Sequence, residues 1–124
     1  LPILWNEKMK NYLGIIPEDD KDGVLQDVHW SGGSFGYFPT YAIGTTYAAQ
    51  LYNALHKKYP QIDSEIEKGD FSKIRAWLKE NIHEYGSQLY ADELIKKSTG
   101  ESLNSKILID YFNKKYCQLY KIKM

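Results

Sequence analysis

Glycine and proline cut this chain into short lengths, and that punctuation limits its possible folds more than any other feature. Gly14, Pro17, Pro39, Pro60, Gly69, Gly86 and Gly100 separate segments whose apolar residues recur at helical spacing. No segment alternates apolar and polar residues as a half-buried strand does. The pattern predicts an all-α chain. In "PILWNEKMKNYLG", Ile3, Leu4, Met9, Tyr12 and Leu13 keep one rhythm, and Gly14 follows as C-cap. Pro39 suits a first helical turn, where its missing N–H loses nothing. From there "TYAIGTTYAAQLYNALHKKY" reads as a long helix with Tyr41, Gly44, Ala48, Leu51 and Leu55 on its apolar stripe. Pro60 stops it. "QIDSEIEKG" reads as a short amphipathic turn or helix ended by Gly69, and "YADELIKKSTG" as a short helix ended by Gly100. Asp70 is placed to cap "FSKIRAWLKENIHEY", whose apolar face is Phe71, Ile74, Leu78 and Ile82. The last helix carries Ile107, Leu108, Tyr111, Phe112, Tyr116 and Leu119.

A length of 124 residues makes one helical domain or a piece of a larger one. Sixteen basic residues balance sixteen acidic ones, so the chain lacks the positive field that nucleic-acid binding needs. No apolar run approaches the roughly 20 residues of a membrane span. The lone Cys117 excludes an internal disulfide framework and fits a reducing compartment, with the cytoplasm as default. The chain opens on Leu1 rather than Met, as processing, tag removal or a cut from something longer would each produce.

The stretch "DVHWSGGSFGYFPTYAIG", from Asp27 to Gly44, departs from this helical style. It places one His, one Trp, two Phe and two Tyr among four Gly and one Pro. Glycines let a backbone turn tightly or approach a ligand closely. A helix that starts near Phe38 or Pro39 sets Tyr37 and Tyr41 about one turn apart. A loop-borne His29 facing two phenols is a good donor set for an oxyanion. The plainer alternative is an aromatic plug in the core, with His29 satisfied by a backbone carbonyl. The other histidines offer less. His56 lies beside Lys57 and Lys58 and reads as a solvent-facing helix residue. His83 opens "HEYGS", but Ser87 stands where an HExxH motif needs its second His. Ser31 and Ser34 near His29 lack a nucleophile-elbow pattern, and "SGGSFG" lacks the strand and Lys of a phosphate loop. Local spacing assembles no metal site.

"GVLQDVHW" followed by "GYFPTYAIG" resembles the signature region of the zinc carboxypeptidases of the thermostable carboxypeptidase, or carboxypeptidase Taq, family. The resemblance extends outwards to "LPILWNEKMKNYLGI", "IRAWLKENIHEYG" and "ADELIKKSTGESL". Essentially all 124 residues then correspond to the C-terminal quarter or so of such an enzyme. "AIGTTY" varies the residues usual after the signature, which touches packing more than chemistry.

The resemblance implies the helical C-terminal part of an HExxH-type zinc metallopeptidase that removes C-terminal amino acids from peptides. The family's zinc ligands, its general-base Glu and the arginines expected to hold the substrate carboxylate would all lie upstream of Leu1. By the same resemblance, His29 and Tyr41 are the catalytic residues, donating to the tetrahedral oxyanion or the neighbouring peptide group, and Tyr37 binds substrate. A neutral phenol suits the donor role. Zinc belongs to the whole enzyme and is not expected to bind tightly to this chain alone. Its partners would be the missing N-terminal catalytic part, peptide C-termini and possible homodimers. The chain alone is expected to be inactive. The alternative is a freestanding helical module that holds peptides or a protein without cutting them. A fragment should expose an apolar face.

Overall fold

A computed structural model describes residues Leu1–Ile122. Six α-helices follow in order: α1 (Pro2–Leu13), α2 (Pro39–Lys58), α3 (Ile62–Glu67), α4 (Ser72–Asn81), α5 (Ala91–Thr99) and α6 (Ser105–Tyr120). Short 3-10 turns occur at Val24–Gln26, Trp30–Gly32 and His83–Tyr85. No strand is found among the described residues, and the all-α expectation is met. No helix among them is long and apolar enough to cross a membrane. The chain divides into two compact units, Leu1–Thr40 and the part from Tyr41 onward, with the division inside the first turn of α2.

In the first unit, Gly14 ends α1 at φ 74°, a conformation costly for any side chain, and its N–H donates to the Lys10 carbonyl. None of the α1 residues is buried, and Ile3 is 86% exposed. The predicted apolar rhythm is present, but it lines an open groove of about 450 Å³ with Leu4, Trp5, Met9, Leu13 and Trp30 on its walls. Trp5 meets Trp30 edge to face at 6.3 Å, and Trp30 stacks on Phe35 at 6.4 Å. The acidic segment after Gly14 folds on itself. The Asp22 N–H donates to Asp19 Oδ1, and the Leu25 N–H to the Asp20 carbonyl, both at 2.9 Å.

The second unit has an interior. Leu55 from α2, Ile62 from α3 and Trp77 from α4 form its core, and Leu51, Ala54, Tyr59, Ile66, Ile74 and Leu78 pack around them. Ile62 is fully buried and Trp77 is 4% exposed. Burying one such side chain contributes about 1.5–3 kcal/mol. The α4 face therefore centres on Trp77, between the predicted Ile74 and Leu78, while Phe71 is exposed. The N-cap of this helix is Phe71 rather than Asp70, which stands one residue earlier and still holds the first turn, its Oδ1 accepting the Ser72 N–H at 2.9 Å. The helix stops at Asn81, earlier than its apolar pattern suggests, and a 3-10 turn leads to Gly86.

The stripe of α2 also differs from expectation. Its buried residues are Thr46, Gln50 and Leu55, whereas Tyr41, Gly44 and Ala48 are exposed. Thr46 can lie inside because its hydroxyl donates to the Ala42 carbonyl at 2.8 Å. Gln50 is 1% exposed and uses both ends of its amide. Nε2 donates to Thr99 Oγ1 at 3.0 Å and to the Glu101 and Ser102 carbonyls at 3.2 and 3.1 Å. Oε1 accepts the Asn104 N–H at 2.8 Å. Those bonds fasten the α5–α6 connection to α2. Asn104 then caps α6, accepting the Lys106 N–H at 3.0 Å.

Candidate functional site

The glycine-rich stretch winds around His29. Its carbonyl accepts the Gly32 and Ser34 N–H groups at 3.1 and 3.0 Å, and Gly33 and Gly36 turn the chain at φ 78° and 74°. The Ser31 hydroxyl donates to the Val28 carbonyl at 2.7 Å, so this serine serves the turn. Upstream stands Asp27, 9% exposed. Its Oδ1 accepts the His29 backbone N–H at 3.1 Å and lies 3.0 Å from ring Nδ1. The sequence analysis gives Asp27 no role, although "DVH" carries the two-residue spacing of a side chain that caps its own turn.

The imidazole has aromatic neighbours. Tyr37 lies 5.1 Å from it at a 42° tilt, and Phe38 lies 5.7 Å away, edge on. Tyr37, Phe38 and Phe35 are all exposed, so this loop is no core plug. The Tyr37 carbonyl accepts both the backbone N–H and the hydroxyl of Thr40, at 2.9 and 2.6 Å, and α2 starts two residues on, at Pro39. Tyr41 follows in the first turn of α2, at the head of the second unit, and is 55% exposed. Its carbonyl accepts the Thr45 hydroxyl at 2.9 Å. The structure thus brings His29 and Tyr37 together and places Tyr41 on a regular helix four residues later.

A second polar cluster joins two helices across Pro60, which local sequence spacing does not reveal. His56, read as solvent-facing, is half-buried: its Nε2 lies 2.8 Å from Asp63 Oδ2, and its ring meets Tyr52 edge on at 5.0 Å. The Tyr52 hydroxyl donates to Asp63 Oδ1. Burial and then the Asp63 carboxylate push the Tyr52 phenol up to about 12, while the Tyr52 hydrogen bond holds Asp63 below the usual carboxylate range. The cluster borders a cleft of about 550 Å³ that α6 edges with Tyr111 and Lys114.

Neither place suits a resident metal ion. Among the described residues, no three His, Cys, Asp or Glu side chains gather closely enough to hold one. His83 is exposed and Cys117 is a free, half-buried thiol.

Residues 1–116 match the family model described as carboxypeptidase Taq (M32) metallopeptidase. Carboxypeptidase 1 of Bacillus subtilis is 50% identical over 120 residues, which cover 97% of this chain and 24% of that protein. Thermostable carboxypeptidase 1 of Pyrococcus furiosus is 44% identical over 116 residues, 94% of this chain and 23% of that protein. The solved M32 carboxypeptidase of Deinococcus radiodurans R1 superimposes with a TM-score of 0.91 at 35% identity, covering 98% of this chain and 25% of that one. The chain spans about a quarter of the length of the curated relatives it matches.

Proposed function

Because this chain belongs to the carboxypeptidase Taq (M32) metallopeptidase family, we propose that it supplies the transition-state-binding part of a zinc-dependent carboxypeptidase acting on peptide C-termini. Zinc and the groups that activate water would sit in the larger part of such an enzyme; the described residues here offer no set of ligands. His29 and Tyr41 donate hydrogen bonds to the oxygen that becomes charged when the last peptide carbonyl is attacked. Tyr37 contacts the substrate. Donors that are already fixed stabilise that charge without reorganising during the reaction. The observation that carries this reading is the His29 imidazole, clamped at 3.0 Å by Asp27 with the Tyr37 ring 5.1 Å away. The lone Cys117 supports a cytoplasmic setting. On this reading the chain alone does not cleave peptides.

A chimera tests it, with this chain replacing the matching quarter of the Bacillus subtilis carboxypeptidase 1. The chimera should release C-terminal amino acids from blocked peptides, and His29→Gln and Tyr41→Phe should each lower kcat about 100-fold. Undiminished kcat in both variants would sink the proposal. The open apolar groove on α1 favours a second reading, a helical module that binds peptides without cutting them. Saturable peptide binding by this chain, with an inactive chimera, would support that one.

A further inference from the structure

We propose that Asp27 is a positioning residue: it fixes a proton on Nδ1 of His29, so that the ring exchanges its other proton only at Nε2. The oxyanion role of His29 rests on the function proposed above; the tautomer does not.

The argument starts from donors and acceptors. An ionised carboxylate can only accept, so the ring nitrogen 3.0 Å from Asp27 Oδ1 carries hydrogen. The same oxygen accepts the His29 backbone N–H at 3.1 Å. One acceptor thereby grips the main chain and the ring of one residue, which sets both the turn and the direction of the imidazole. Asp27 is largely withdrawn from water, where such bonds are electrostatically stronger than on an open surface. Tyr37 and Phe38 lie against the ring at 5.1 and 5.7 Å and limit its freedom to flip.

The chemical consequence falls on Nε2. A neutral imidazole protonated at Nδ1 presents a lone pair at Nε2 and accepts there. It donates from Nε2 only after taking a second proton, and the Asp27 carboxylate then stands as its fixed counter-charge. Asp27 thus decides which form of His29 can serve a developing oxyanion: the imidazolium. With no carboxylate at that position, a neutral ring would favour Nε2–H, as the free histidine side chain does, and would donate only as an uncharged, unanchored group, a weaker partner for an oxyanion than the imidazolium.

Nitrogen-15 spectra of the histidine rings decide the point. The complete chain is labelled at histidine, His29 is assigned with His29→Gln, and spectra are taken where the ring is neutral. The expected result is a protonated Nδ1 and an unprotonated Nε2 at His29. In Asp27→Ala the neutral ring should shift to the Nε2–H form, with the Trp77 core signals unchanged. A wild-type ring protonated at Nε2 overturns the proposal, whatever the variant does. In the chimera, Asp27→Asn should lower kcat by about ten- to a hundredfold, the loss seen when the carboxylate partner of a metal-bound imidazole is removed, with KM within about twofold. An unchanged kcat in Asp27→Asn, beside a large loss in His29→Gln, overturns the positioning role and leaves the proposed function standing. Unchanged kcat in both His29→Gln and Tyr41→Phe instead removes the proposed function, and the ring spectra still decide the tautomer.

Discussion

Each of the two units is ordered internally by different means. From Tyr41 onward the chain closes an apolar interior over Leu55, Ile62 and Trp77 and ties a loop to it through Gln50. Between Leu1 and Thr40, Val24 and Asp27 are the buried side chains, and order comes from turns, aromatic edges and hydrogen bonds. The scaffold is fixed by burial, while the His29 loop is fixed by directional contacts that set angles as well as distances. Function-bearing loops commonly belong to the less stable part of a fold.

Trp77→Ala should break the contrast most visibly. Removing this ring from the core should cost about 3–5 kcal/mol in urea denaturation. A loss below about 1 kcal/mol would mean that the interior is not what stabilises this unit. Gln50→Leu comes next, at about 2 kcal/mol, because it strands the Asn104 N–H and loses the bonds to the Glu101 and Ser102 carbonyls. Brief protease digestion sharpens the comparison without a substitution. The first cuts should fall within Leu1–Thr40, and initial cleavage in α4 or α5 would reverse the ranking.

The smallest effect is one of pH. Asp63 titrates lower in the folded chain than in the unfolded one, so its contribution is in place above pH about 4 and fades as pH falls through the lowered folded value. Tyr52 is raised to about 12. Its contribution is complete below pH about 10, the unfolded value, and is lost as pH climbs through the raised folded one. Both groups face solvent, so together they amount to less than about 1 kcal/mol. Urea midpoints across pH should vary less in Tyr52→Phe than in the parent chain; identical profiles would show that the pair does not couple to folding.

Much of the scaffold was readable because helix ends carry local chemistry. Gly14 and Gly100 end helices at φ 74° and 85°, and Asp70 accepts the first N–H of α4 from one residue before its N-cap. Pro39 opens α2 as its ring geometry suggests. The inward face of α2 was not readable, because Thr46 and Gln50 look like surface residues until Ala42 and the segment before α6 satisfy them. Trp77 was passed over for its neighbours Ile74 and Leu78, since spacing alone does not rank residues that share a face. At the candidate site, residue types and spacing offered His29, Tyr37 and Tyr41 as a donor set beside a plainer packing role, and the family resemblance supplied the choice between them. The clamp on the imidazole needed coordinates, because "DVH" in a sequence does not say whether a carboxylate meets a backbone, a ring or both.

Gln50 also sets a schedule. Its partners lie 49 to 54 residues further along the chain, so none exists while α2 is first being made. Helices form within microseconds, but a closure of that span waits for the distant segment to arrive and carries the entropy of a long loop. On the ribosome, the amide stays hydrated until Asn104 has emerged, and only then can the connection before α6 be locked in place.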